Sequence, residues 1–341
     1  MRSLPTRPGT GLLAMALTVL VWASFALSVR AIATSAWTPA DVALLRFGVP
    51  LLVLAPWLPR SLRRLRGERS AVLAALAVGA GLPFFLLCAA GGALSSATLT
   101  GLVVPGSVPL FVTALAGLLW RTRPSRRQLL ALAGVVVGIA VIAGTDLLAP
   151  GAGGHAAGTG VLLAAGLVWS VYTLGLRATR VDPVAAAVAV CLPSFALTLV
   201  AVTTGLLPSQ LHRGAPVDGT LLVFALVQGL GVGVLAGLAY AVAIRELGAP
   251  RAATLGALSP VLVAVSAAPL LGERVDALVL VGGVLVVAGV LAFHARPARP
   301  ADPASPASPA NPEPPEVVDA PLPAAPVPAR PGLVAGRAGR R

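Results

Sequence analysis

Arg46 is the one charged residue between Asp41 and Arg60, in a run otherwise built of apolar side chains, glycine and proline. A guanidinium in such a setting presents a planar fork of donors that matches a carboxylate or a phosphate. Trp22, Trp169 and Tyr172 fall near the middle of comparable apolar runs. Trp169 and Tyr172 are three apart, which puts them on one face of a helix. A buried indole N–H needs a partner, and Gln228, Ser24, Ser107, Ser170 and Ser259 could supply hydrogen bonds. These residues predict an aromatic-walled site for a small molecule, with Arg46 as its anion-selective group. The competing readings stay open here: Arg46 reaching water along its stem, aromatics that only pack, and serines that join helices. Pro109 and Pro260 each remove a backbone donor and predict kinks in their helices.

The residue types that are missing narrow the chemistry further. All twelve acidic residues lie outside the centres of the apolar runs, as do His155, His212 and His294. A proton relay through a buried carboxylate or histidine therefore has no candidate. No Walker motif and no His-Glu-x-x-His helix is present, and no catalytic set, cofactor or metal site is expected. Cys88 and Cys191 lie inside apolar runs and read as packing residues, not as a disulfide or metal pair.

The elements that must hold these residues follow from the spacing of charge. Ser70 to Trp120 contains no Asp, Glu, Lys or Arg over 51 residues. A helix crosses a bilayer with about 17–25 apolar residues, so this run makes two crossings joined by a turn, placed in Cys88–Ser96. Ten spans are predicted: 10–30, 41–59, 70–90, 95–120, 128–147, 157–177, 184–206, 219–243, 252–271 and 276–294. The first is too long, and too poorly flanked by a cleavage site, to be a removable signal peptide. Hydrophobic residues make up 57% of the chain and charged ones 11%, against roughly 45–50% and 25% in soluble domains.

The net charge of +13 suggests nucleic acid until its placement is considered. Every basic residue is Arg, and they cluster between the spans, with no soluble basic domain for a nucleic acid to meet. With the N-terminus inside, the inner segments before the tail hold fifteen Arg and the outer ones three. Arg-rich short loops resist translocation, so both termini are predicted in the cytoplasm and the protein in the cytoplasmic (inner) membrane. From residue 296 to 341 the character changes: prolines recur every third residue from Pro297 to Pro315. That period suits polyproline II and predicts a disordered cytoplasmic tail.

An internal repeat joins the two central tryptophans. Val21-Trp22-x4-Leu27-x2-Arg30 returns as Val168-Trp169-x4-Leu174-x2-Arg177, 147 residues later. Val108-Pro109 and Ser259-Pro260 sit in matching small-residue runs, with Pro105 as an alternative mate for Pro260. Gly134-Val-Val-Val-Gly and Gly282-Gly-Val-Leu-Val-Val-Ala-Gly close the two halves. Five spans per half is an odd number, so the second half enters the membrane in the opposite sense. Inverted repeats of this kind characterise secondary transporters with a midplane site between the halves.

On these residues, with Leu45-Arg46-Phe47 and Ser259-Pro260…Leu271-Gly272-Glu273-Arg274, the chain resembles the EamA family of the drug/metabolite transporter superfamily over about residues 10–295. The resemblance implies an all-α polytopic membrane protein of ten transmembrane helices in two inverted five-helix repeats, 10–147 and 157–294. It also implies export of an amino acid or another small metabolite. One departure stands out: where the first repeat should carry Gly-Glu-Arg, this chain has Trp120-Arg121-Thr122-Arg123. The expected partners are a small-molecule substrate and the lipid bilayer, and a homodimer is compatible with the sequence. The expected function is a secondary transporter, not an enzyme. The alternatives are a proton-coupled multidrug exporter, which lacks its membrane carboxylate, and an intramembrane lipid-modifying enzyme, which lacks clustered catalytic residues.

Overall fold

The computed structural model describes residues 8–148, 153–273 and 276–294; the predicted C-terminal tail, 296–341, lies outside the described residues. Among these residues every regular element is helical. The first half contains α1 (Pro8–Ile32), α2 (Pro39–Val53), α3 (Leu58–Leu65), α4 (Ser70–Ala80), α5 (Leu82–Leu94), α6 (Ala97–Trp120) and α7 (Arg126–Leu148). The second contains α8 (Gly153–Ala178), α9 (Pro183–Thr203), α10 (Gly219–Phe224), a π-helical stretch (Ala225–Leu235), α11 (Ala236–Leu247), α12 (Ala249–Gly256), α13 (Ser259–Leu271) and α14 (Ala277–His294). Nine stretches of the described residues are long and apolar enough to cross a bilayer, and ten if the pair Pro39–Val53 and Ala55–Leu65, bent by 63°, counts as one. Leu13, Leu52, Leu118, Leu130 and Val284 are exposed on the outside of this bundle, a surface suited to hydrocarbon and not to water.

Local sequence explains where the spans depart from straight helices. In the second span Pro50 removes a ladder donor, and Pro56 and Pro59 start new turns, so α2 ends and the chain bends into α3. On α3, Leu58, Leu62 and Leu65 pack on the core while Arg60, Arg63 and Arg64 lie on its polar side, the pattern of a helix lying along a membrane surface. The third span breaks at Gly81, and the freed Leu82 N–H donates to Ser194 Oγ of α9 at 3.1 Å. A backbone donor released in hydrocarbon needs such a partner. The turn between the third and fourth spans is only Ser95-Ser96: Cys88 to Leu94 stay helical, and Ser96 Oγ accepts Leu99 N–H to cap α6. Small residues alone do not end a helix inside a bilayer, because the ladder is the cheapest way to satisfy their backbone.

The halves interlock in mirrored pairs. α1 packs on the π-helix with α11 and on α13; α8, its counterpart, packs on α4 with α5 and on α6. α2 meets the π-helix just as α9 meets α4, and α2–α9, α6–α13 and α7–α14 each pair a helix with its own repeat mate. Glycine permits the closest of these contacts: a Cβ at Gly138 would lie 2.6 Å from the Gly282 carbonyl oxygen, and one at Gly282 2.7 Å from that of Gly138.

Candidate functional site

Three helices deliver one side chain each to a buried polar chain. Arg46 comes from α2, Gln228 from the π-helix and Ser28 from α1. Arg46 Nη1 donates to Gln228 Oε1 at 2.6 Å, and Gln228 Nε2 donates to Ser28 Oγ at 2.7 Å. Ser28 Oγ in turn donates to the Phe25 carbonyl at 2.9 Å. Gln228 is fully buried, and Arg46 is only 6% exposed. The π-helix can come this close because Gly229 faces the Leu45 carbonyl and Val49, leaving no room for a Cβ. Wide π turns of this kind recur at functional sites.

The guanidinium is surrounded by rings, not carboxylates. Its carbon lies 5.0 Å from the Phe25 ring centroid, 5.5 Å from Phe85 and 5.6 Å from Phe47. Cys88 and Cys191 are buried within electrostatic reach of it. Cation–π contacts return about 2 kcal/mol when desolvated, against at least about 2.5–3.5 kcal/mol for a cation at membrane depth. Among the described residues, only Arg46 Nε and Thr159 Oγ1 are buried polar side-chain atoms without a hydrogen bond. The cation is thus partly but not fully compensated.

An aromatic series continues from this point. The Phe25 ring stacks on Phe84 at 6.0 Å, Phe84 meets Trp169 at 4.7 Å, and Trp169 meets Tyr172 at 5.0 Å. Trp22 stands elsewhere on α1, tilted against Tyr240 at 5.1 Å and packed with Met15 and Ala252. The structure therefore joins Arg46 with Gln228, and Trp169 with Tyr172, but does not bring the two tryptophans together. Ser24 and Ser107 bond carbonyls of their own helices, and Ser170 bonds the Gly166 carbonyl of its own helix at 2.7 Å and reaches the Val108 carbonyl of α6 at 3.4 Å. α6 runs as one helix through Pro105 and Pro109. Pro260 occupies the first turn of α13, where its missing N–H has no ladder partner to lose; the chain turns before it, at Ala257-Leu258.

Sequence reasoning missed Ser28, Phe25, Phe84 and Phe85, and named Phe47 only within a motif. Phe25 and Ser28 are three apart on α1 and Phe47 adjoins Arg46, a spacing visible in the chain but without a partner until the helices pack. Glu273 Oε1 accepts Ala97 N–H at 2.7 Å, and Oε2 accepts from Thr98 N and Oγ1 at 3.4 and 3.3 Å, so its charge sits at the N-terminus of α6. Arg30 lies 3.6 Å from Glu273 and donates to the Gly92 and Ala93 carbonyls at the end of α5. The corresponding turn in the first half keeps the backbone without the charge: Arg121 is left-handed with φ 53°, as Gly272 is with φ 67°, and Thr122 stands in the place of Glu273.

At the opposite, Arg-rich end, Arg64 pairs with Asp182 and Thr179 Oγ1 donates to Glu68. Here an open depression of about 480 Å³ is lined by Arg64, Gly67, Glu68, Arg180, Val181 and Asp182, none of which belongs to the buried chain. Asp41, fully buried at the start of α2, accepts from Thr38, Ser209, Gln210 and Leu211 and so staples the loop before α10 to that helix. Trp37 is buried and donates from Nε1 to Asp218 at 2.8 Å.

Ten apolar spans in two interlocked halves, with a polar junction between them, define an integral multi-pass membrane protein of transporter architecture. The chain belongs to the EamA-like transporter family, whose sequence model matches residues 9–144 and again 156–294. It is thus a membrane transporter of the drug/metabolite type. One solved crystal structure, 21% identical, covers 84% of this chain and 98% of its own with a TM-score of 0.56, a likeness of fold alone. No curated protein sequence matches the chain.

Proposed function

We propose that this protein is a secondary transporter that carries a small metabolite, such as an amino acid, out across the cytoplasmic membrane by alternating access. The observation that carries the reading is the Arg46–Gln228 hydrogen bond, because it joins the first half to the second at a buried, only partly compensated cation. Rocking one half against the other would open that junction alternately to the two sides, with Trp169, Tyr172 and Phe84 beside it as an apolar wall. The outward sense follows the family resemblance. The orientation, with both termini and the Arg-rich end in the cytoplasm, rests on the distribution of arginine.

Purified protein in proteoliposomes, assayed against a panel of amino acids and other small metabolites, should move at least one of them down its gradient. Transport of none above empty vesicles would remove the reading. Reporter fusions after Pro300 and within 150–156 should report inside and outside respectively; the reverse pattern would invert the proposed direction.

A further inference from the structure

The Arg46 guanidinium has two usable edges. Nη1 is engaged by Gln228, whereas Nε, which lies on the edge it shares with Nη2, is buried and has no partner. That second edge can hold a carboxylate with two parallel hydrogen bonds. The rings of Phe25, Phe47 and Phe85 compensate the cation only in part, and none of the ion pairs among the described residues reaches it. A neutral amide oxygen can hold a guanidinium in place but cannot neutralise it.

We propose that Gln228 is a stand-in ligand, its amide oxygen holding Arg46 until the carboxylate of an organic monoanion arrives, and that such monocarboxylates are the substrate class. The inference rests on the transporter reading above and adds the chemistry of the cargo. One negative charge neutralises the one cation, whereas a phosphate dianion would leave an excess charge of opposite sign in the same apolar setting. The apolar body of the molecule lies along Phe25, Phe84 and Trp169, the ring series that begins at the guanidinium. Among the described residues no carboxylate bonds to the Arg46 guanidinium and so none stands ready for an α-ammonium; Asp41, on the same helix, is engaged by Thr38 and the loop at Ser209. The site therefore favours a carboxylate that lacks an amino group over the zwitterion of the same size.

The test uses the full-length chain in detergent, its thermal unfolding followed with phenylacetate, phenylacetamide, phenethylamine, phenylalanine and phenyl phosphate at equal concentration. Phenylacetate should raise the midpoint by about 3 °C or more, and the other four by clearly less. Gln228→Glu places an internal carboxylate on Arg46, so it should raise the ligand-free midpoint and abolish the phenylacetate response. Arg46→Gln should abolish the response from the other side. If that variant does not fold, the wild-type ligand series and Gln228→Glu still decide the matter. No response to phenylacetate, an equal response to phenylacetamide, or a Gln228→Glu protein that is less stable and still responds would each overturn the proposal. Vesicle transport of neutral or zwitterionic metabolites with no preference for carboxylates would also overturn it while leaving the transporter reading intact. Stabilisation by phenylacetate without transport of anything would do the reverse.

Discussion

Trp169 tests whether the ring series beside Arg46 packs or binds. It is half-buried between Phe84 and Tyr172, so its loss opens space on both sides. A residue that only packs would cost about 3–5 kcal/mol on truncation and would lower the amount of folded protein. A residue that meets cargo would leave that amount near normal and lower turnover. For Trp169→Ala the expected outcome is a loss of transport per folded molecule of about tenfold or more, the equivalent of about 1.4 kcal/mol of binding. Uptake normalised to folded protein separates the two. Unchanged specific uptake with a reduced folded fraction would assign Trp169 to packing.

Among the helices, the two turns that follow α6 and α13 show one geometry serving two purposes. Gly272 adopts φ 67° at no steric cost, and the Glu273 that follows it docks on the N-terminus of α6. Arg121 adopts the same left-handed conformation with a side chain, which costs roughly 1–2 kcal/mol relative to an ordinary backbone. Arg121→Gly is therefore expected to stabilise the protein, by up to about 1 kcal/mol, in thermal or denaturant unfolding. Glu273→Gln keeps the shape and removes the charge from both the helix end and Arg30. It should destabilise by about 0.3–2 kcal/mol, the range for an anion at a helix N-terminus. A stabilising Glu273→Gln or a destabilising Arg121→Gly would mean that the two turns are not equivalent in the way their backbones suggest.

Across the whole molecule, both ends carry polar ties between the first half and the second. Thr179 holds the Glu68 carboxyl below its usual range, with the Arg69 backbone N–H adding to the effect. At Asp182, burial pushes the carboxyl up, and the Ala185 N–H and the Arg64 guanidinium outweigh it and hold it low. At the Arg-poor end the Leu221 N–H, joined by the Trp37 indole, keeps Asp218 low. A carboxyl whose folded value is depressed contributes stability above its unfolded value and loses it as pH falls through the folded one. The ordinary values here are 4.5 for Glu68 and 3.8 for the two Asp, so stability should be level from neutral pH down to that range and fall below it. Unfolding midpoints measured from pH 7 to pH 3 check the direction. Asp182→Asn and Asp218→Asn should flatten the acid limb, and an unchanged limb in both would place the acid sensitivity elsewhere.

Arg46, Trp169 and Gln228 were legible as candidates because a polar or aromatic residue in a long apolar run is conspicuous whatever it touches. The ten spans were legible for the same reason: the length of an apolar run is a local property, set by bilayer thickness. The repeat at an offset of 147 was legible because it is written twice, and an odd number of spans per half requires the inversion. Residues paired across more than a hundred positions were not legible. Ser28 and Gln228 are 200 residues apart, Arg46 and Gln228 182, and Glu273 and Ala97 176. Nothing local distinguishes Ser28 from Ser24, one turn earlier on the same helix: both donate to their own backbone, yet only Ser28 also accepts from Gln228. Only the packing of the π-helix against α2, allowed by Gly229, decided which polar side chains met. Helix rotation and depth are fixed by side-chain contacts across the bundle, and one residue's difference in register exchanges a buried partner for a lipid-facing one.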